Sequence, residues 1–139
     1  MSPGTTKTGH TLEQMILPAL AQGGYSAQSQ VYVGLRPSGK RHRVDLLATD
    51  KDGRRYLISA KWQQVAGTAE EKVPYEIICL AETVATGRYA RAYLVLGGAG
   101  WTLRRFFTGG GLHRHLAHAE LVTVLTLEEF VGRANRGRL

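Results

Sequence analysis

The sequence has 139 residues, room for one domain of ordinary size and little more. Apolar residues make up 43% and charged residues 21%, which supports a packed core and excludes wholesale disorder. Lys and Arg total 18 against 11 Asp and Glu, and the net charge of +7 suits a polyanionic partner, most commonly nucleic acid.

No apolar run approaches the ~18–20 residues that span a bilayer, so no membrane role is expected. The single cysteine, Cys79, excludes a disulfide framework and a multi-cysteine zinc site. Residues 1–10 are polar, lack the apolar stretch of a secretory signal and read as a flexible arm. A reducing, cytoplasmic setting is the simplest expectation. Residues 11–132 are expected to form one domain, followed by a basic tail at 133–139.

Thr11-Leu12-Glu13-Gln14 has the form of a capping box, and Leu12, Met15, Ile16 and Leu20 recur at helical spacing to about Gln22. Pro18 bends or shortens that helix, and Gly23-Gly24 ends it. Three strand-like runs follow: Val31 to Leu35, Arg43 to Ala48 and Tyr56 to Lys61. Asp52-Gly53 between the second and third is a hairpin signal, so the three runs form an antiparallel meander.

Thr68-Ala69-Glu70-Glu71 is a second capping box, although Pro74 also suits the first turn of a helix that starts there. Val73, Ile77, Leu80, Ala81 and Val84 carry the helical repeat, and Gly87 closes it. Ala92 to Leu96 is almost continuously apolar, as in a strand covered on both faces. Trp101, Phe106 and Phe107 are expected in the core, and Gly97-Gly98-Ala99-Gly100 fails the Walker and GxGxxG patterns and reads as a turn. Leu121 to Leu125 is the last strand, and Thr126-Leu127-Glu128-Glu129 caps a final helix. The order αβββαβαβα predicts an α/β fold, a mixed central sheet made of a meander plus a βαβ unit, flanked by helices.

Asp45 interrupts an apolar strand, where an unpaired aspartate is disfavoured and costly to bury. After the hairpin, the neighbouring strand ends in Ser59-Ala60-Lys61, which brings Asp45 and Lys61 toward one end of the sheet. A cross-strand ion pair is the plain structural alternative. His113, His115 and His118 lack the spacing and the extra ligand of a metal cluster, and Cys79 reads as a buried small hydrophobe.

The element order, with Asp45 on one meander strand and x-x-Lys61 on the next, resembles the PD-(D/E)xK nuclease superfamily over roughly residues 11–125. The stretch Ser59-Ala60-Lys61-Trp62-Gln63-Gln64, with Gly67 to Lys72 and Tyr75-Glu76, is similar to small restriction-endonuclease-like members. Two positions depart from the pattern. Val44 stands where proline is common, and Ser59 stands where the second acid is expected; a hydroxyl is a poor Mg²⁺ ligand beside a carboxylate. Some restriction enzymes of the superfamily carry Ser-x-Lys and bring the acid from the next helix. Glu76 lies within one position of that spacing, ahead of Glu71 and then Glu70.

The resemblance implies a restriction-endonuclease-like core and metal-dependent phosphodiester hydrolysis. Mg²⁺, or Mn²⁺ in its place, would be held by Asp45, the Ala60 carbonyl and Glu76, with Glu71 and the first-helix Glu13 as further candidates. Lys61 would orient the attacking water or neutralise phosphate charge, and Ser59 and Gln63 complete the catalytic candidates. Lys40, Arg41, Arg43, Arg54, Arg55, Arg104 and Arg105 would grip the DNA backbone. The expected function is a DNA endonuclease of restriction or phage/mobile-element type, acting as a homodimer because two strands need two sites. A Holliday-junction resolvase of the same fold and a non-catalytic DNA-binding module on it are the alternatives.

Overall fold

The computed structural model describes residues 12–139, with side chains from Gln14 onward. The expected arm, the Thr11 cap and the side chain of Glu13 lie outside the described residues.

A π-helical turn, Leu12–Ile16, leads into helix α1, Leu17–Gln22. Pro18 sits in the first turn of α1, directly after the π-helical turn. Gly23 follows at a close approach: a Cβ there would lie 1.8 Å from the Ala134 carbonyl oxygen. Strand β1, Ser26–Leu35, begins five residues earlier than the apolar pattern predicts. It is the sheet edge, so Ser26 to Gln30 stay exposed and need no apolar alternation.

Strands β2, Arg41–Thr49, and β3, Arg55–Trp62, complete the antiparallel meander. Their connection is closed by Asp50, whose carboxylate accepts the amides of Asp52 and Arg54 at 2.9 Å each. Gly53 takes φ +84° in that turn, which a side chain rarely adopts.

A 3₁₀ turn, Thr68–Lys72, precedes helix α2, Val73–Ala85. The Thr68 capping box does not form; Gly67 occupies the cap position with no side-chain bond, and the α-helix starts beside Pro74. Strand β4, Arg91–Gly97, is buried from Ala92 to Gly97. A short helix α3, Arg104–Thr108, and two 3₁₀ turns lead to β5, Val122–Thr126, and helix α4, Leu127–Asn135. The Thr126 capping box forms in both directions: its hydroxyl accepts the Glu129 amide at 3.2 Å, and the Glu129 carboxylate accepts the Thr126 amide at 3.2 Å.

The sheet runs β1-β2-β3-β4-β5, with β3, β4 and β5 parallel. This is the mixed, helix-flanked sheet of the expected restriction-endonuclease-like fold. One core, with Leu57, Ile77, Leu80, Leu94 and Val124, lies between the sheet and α2. The other, with Leu20, Leu46, Ile58, Tyr93 and Phe130, lies under α1 and α4. Trp101 and Phe107 are buried as expected, whereas Phe106 is 39% exposed. Arg133 belongs to α4 rather than to a tail, and the Leu139 amide donates to the Tyr25 hydroxyl at 3.0 Å. No helix among the described residues is long and apolar enough to cross a membrane.

Candidate active site

β2 enters the sheet at the end where β3, β4 and β5 leave it. Side chains from the start of β2 therefore meet those from the end of β3. β1 stays paired with β2 from Thr49 down to Arg41, but the β2–β3 ladder stops at Leu46 opposite Ile58. Asp45 is the next residue on β2. Its Oδ2 accepts the Ala60 backbone N–H at 2.7 Å, so a side chain takes the place of a ladder carbonyl.

Burial pushes the Asp45 carboxyl above its ordinary value; the Ala60 amide and the Lys61 charge offset this only in part, and Glu76 adds to the rise. Among the described residues Asp45 forms no direct ion pair, so the cross-strand pair anticipated as the plain alternative is not what the acid does here.

Strand alternation sends Leu57, Ser59 and Lys61 to the α2 side of the sheet. Ser59 is buried there, and Lys61 is partly exposed. α2 brings Glu76 to the same place, 4% exposed. Its Oε2 accepts Arg36 Nη1 at 3.1 Å, and its Oε1 faces His42 Nε2 at 3.3 Å. A carboxylate only accepts, so Nε2 carries the proton in that contact. Burial pushes the Glu76 carboxyl up, but the His42 hydrogen bond and the charges of Lys61, Arg36 and His42 overcome it and hold it at about 2. The Lys61 charge lowers both carboxyls, but only at Glu76 is burial overcome.

The remaining candidates divide. The amide of Gln63 is used internally: Nε2 donates to the Gly100 carbonyl at 2.8 Å and to Glu70 at 3.2 Å, and Oε1 accepts the Ala69 amide at 3.0 Å. Glu70 is bound by the Thr102 amide and hydroxyl. Glu71 is exposed on the 3₁₀ turn beside a surface groove. Glycines let the exits of β3 and β4 run side by side: a Cβ on Gly98 would lie 2.4 Å from the Gln63 carbonyl oxygen, and one on Gly100 would lie 2.5 Å from the Val65 backbone.

Lys40, Arg41 and Arg43 lie at the Asp45 end of β2, with the Arg41 guanidinium 3.6 Å from the centre of the Tyr32 ring. Arg104 and Arg105 follow the exit of β4 at that same end. Arg54 and Arg55 do not flank the site as expected. They stand at the start of β3, six residues or roughly 20 Å along the strand from Lys61, and Arg55 is bound to the Arg88 carbonyl at 3.1 Å.

Sequence reasoning missed His42, Arg36 and Thr83. His42 is fully buried, and its Nδ1 lies 3.4 Å from the Thr83 hydroxyl. The signal for it is strand alternation: counted inward with Val44, position 42 leaves the exposed basic run. Among the described residues no group of three or more His, Cys, Asp or Glu side chains is placed to hold a metal ion. Two carboxylates that both feel the Lys61 charge remain, and Mg²⁺ is commonly bound by one or two carboxylates with water and substrate phosphate.

The sequence matches no curated protein. Its fold is similar to that of a protein of unknown function, AF1548, with a TM-score of 0.50 and 15% identity over 80% of this chain and 54% of that one. A repair endonuclease from Pyrococcus abyssi aligns at a TM-score of 0.42 and 15% identity, over 86% of this chain and 43% of that one. The small subunit of a heterodimeric restriction endonuclease aligns at 0.40 and 19%, over 84% and 61%. The chain thus spans about half the length of these solved structures. A family model described as the PD-(D/E)XK nuclease superfamily domain matches residues 4–138, nearly the whole sequence, and the chain belongs to that superfamily of nucleases.

Proposed function

We propose that this domain is a metal-dependent DNA endonuclease whose site is built from Asp45, Glu76 and Lys61. The observation that carries the reading is the Asp45 carboxylate, desolvated, bonded to the amide of Ala60 and electrostatically coupled to both Lys61 and Glu76. Glu76 raises the proton affinity of the partly buried Asp45, and a cation bound at Asp45 would relieve that repulsion. Hard oxygen donors of this kind fit Mg²⁺ or Mn²⁺. Asp45 and Glu76 would hold it with the Ala60 carbonyl and water, and when bound it would supply Lewis-acid stabilisation of the charge that develops on phosphorus-bound oxygens.

The chain's own residues do the rest. The Ala60 amide fixes the Asp45 carboxylate. The Lys61 ammonium faces the scissile phosphate and offsets its charge. Glu76 stands in for the acid that Ser59 replaces. Lys40, Arg41, Arg43, Arg104 and Arg105 share this end of the sheet and contact backbone phosphates, so affinity falls as salt rises. Cutting both strands of a duplex needs two such sites, and a homodimer supplies them.

The test is incubation of the purified chain with supercoiled plasmid, four-way junction and linear duplex, with Mg²⁺, with Mn²⁺ and with EDTA. Metal-dependent cutting lost in Asp45→Asn and Lys61→Ala is the expected result, and the preferred substrate separates a restriction-type enzyme from a junction resolvase. One observation favours a second reading: Arg36 and His42 already occupy both oxygens of Glu76. A non-catalytic DNA-binding module would bind all substrates in a salt-sensitive way and cut none.

A further inference from the structure

A groove of about 420 Å³ lies between the 3₁₀ turn before α2 and helix α3. Its apolar lining includes Pro74, Leu103, Phe106 and Leu112, with Glu71 among the lining residues. Leu103 and Phe106 are three residues apart, neighbours on one helical face, and stay 48% and 39% exposed. The core does not claim them, although Phe107 beside them is buried. The Phe106 ring lies over Gly111, where a Cβ would be 2.4 Å from it, and meets the Phe107 ring edge-on.

Arg104 and Arg105 sit between the two apolar residues in sequence, exposed and in no ion pair among the described residues. The groove is tied to the candidate site: its wall residue Glu70 is bonded to Gln63, two residues past Lys61, or roughly 7 Å along the strand.

Resting on the nuclease reading, we infer that this groove receives one unstacked nucleobase of the DNA beside the cut, with Phe106 as its stacking surface. Charge selects this occupant. The arginines lie outside the groove lining, on the same short helix as Phe106, so a base in the groove would leave its neighbouring phosphates outside with them. An apolar peptide side chain would fill the groove and leave the arginines without a partner. Glu71 repels a phosphate from the groove itself and accepts a hydrogen bond from a base amino group. The preferred substrate then carries an unpaired or easily unstacked base near the scissile bond, since extrusion from a paired duplex costs energy that such a base has already spent.

The experiment is binding by fluorescence anisotropy in EDTA, which blocks cutting. The full chain is titrated with a fully paired duplex, the same duplex bearing one unpaired 2-aminopurine, and the single strand. Wild type should favour the unpaired base. Phe106→Ala should weaken that complex roughly 5- to 150-fold, the range for loss of one stacked base, and change the paired duplex less than twofold. Phe106→Trp should keep the preference. Leu103→Ala, at an exposed position, serves if Phe106→Ala does not fold. Arg105→Ala should instead weaken all three complexes and lower the salt slope by about one. Equal binding of paired and unpaired duplex by wild type overturns the inference and leaves the nuclease reading standing. So does an unchanged Phe106→Ala, the result expected if the groove takes a protein partner. Absence of binding to any nucleic acid overturns both.

Discussion

His42 Nε2 lies 3.3 Å from Glu76 Oε1, and the two side chains are buried together between β2 and α2. Arg36, from the β1–β2 connection, holds the other carboxylate oxygen. The buried acid is therefore ionised by its neighbours, and this sets its dependence on pH.

Glu76→Gln should destabilise the fold at neutral pH by about 3–5 kcal/mol, because it leaves Arg36 and His42 facing a neutral amide. A carboxyl held below its unfolded value stabilises the fold above that value and ceases to do so as pH falls through the folded one. For Glu76 the window runs from 4.5 down to about 2. Denaturant titrations of wild type and Glu76→Gln across that window should converge toward its acid end. A gap that stays constant through it would show that the ionised form of Glu76 is not what its neighbours stabilise.

Asp45→Asn should have the opposite effect on stability. Burial raises the Asp45 carboxyl, so its ionised form costs the folded state free energy that an amide does not. The asparagine oxygen still accepts the Ala60 amide. Thermal melts without metal at neutral pH should show a higher Tm, on the scale of about 2–4 °C per kcal/mol for a chain of this size. Cutting should fall by roughly 100-fold or more, the loss of several kcal/mol of charge stabilisation. A lower Tm would mean that the carboxylate supports the fold rather than burdening it.

Metal should stabilise the wild type more as pH rises. A group with a raised folded value loses its contribution to stability as pH climbs through that value, and the ionised carboxylate is then the form a cation binds. Mn²⁺ at about 100 times its dissociation constant should add roughly 2.7 kcal/mol, read as a Tm shift. That shift should shrink on the acid side of the Asp45 titration and vanish in Asp45→Asn. A shift retained by Asp45→Asn would place the cation elsewhere.

Asp45 is legible in the sequence because an acid inside an apolar strand contradicts the strand's own pattern. Lys61 follows from the Asp52-Gly53 hairpin, which makes the two strands neighbours. Glu76 comes from resemblance alone, since a glutamate in the first turn of a helix is ordinary. His42 is hidden by composition: Lys40 to Arg43 reads as one solvated basic run, yet every second position of a strand faces inward. Arg36 carries no local signal, because its partner lies 40 residues away. The antiparallel hairpin also explains the misplacement of Arg54 and Arg55. Residues next to the turn are those farthest from the opposite end of the ladder, where Asp45 stands. The extra residues of β1 were unreadable for a related reason, as an exposed edge strand needs no apolar face.

Gly100→Ala should injure the site through its scaffold. The Gly100 amide donates to the Gln63 carbonyl at 2.8 Å, and a Cβ at Gly100 would lie 2.5 Å from Val65 N and C, which are backbone atoms that cannot rotate away. The exit of β3 must therefore shift, and with it the strand end that carries Lys61. Overpacking of this kind costs about 1–3 kcal/mol. Thr126→Ala is the matched control, because it removes the cap of α4 for about 1 kcal/mol without touching that exit. If position at the end of β3 governs the chemistry, Gly100→Ala should lose cutting well beyond its loss of Tm, while Thr126→Ala loses Tm and cuts as wild type does. Equal cutting by the two variants, measured well below both melting temperatures, would show that the close approach at Gly100 does not govern the position of the β3 end in catalysis.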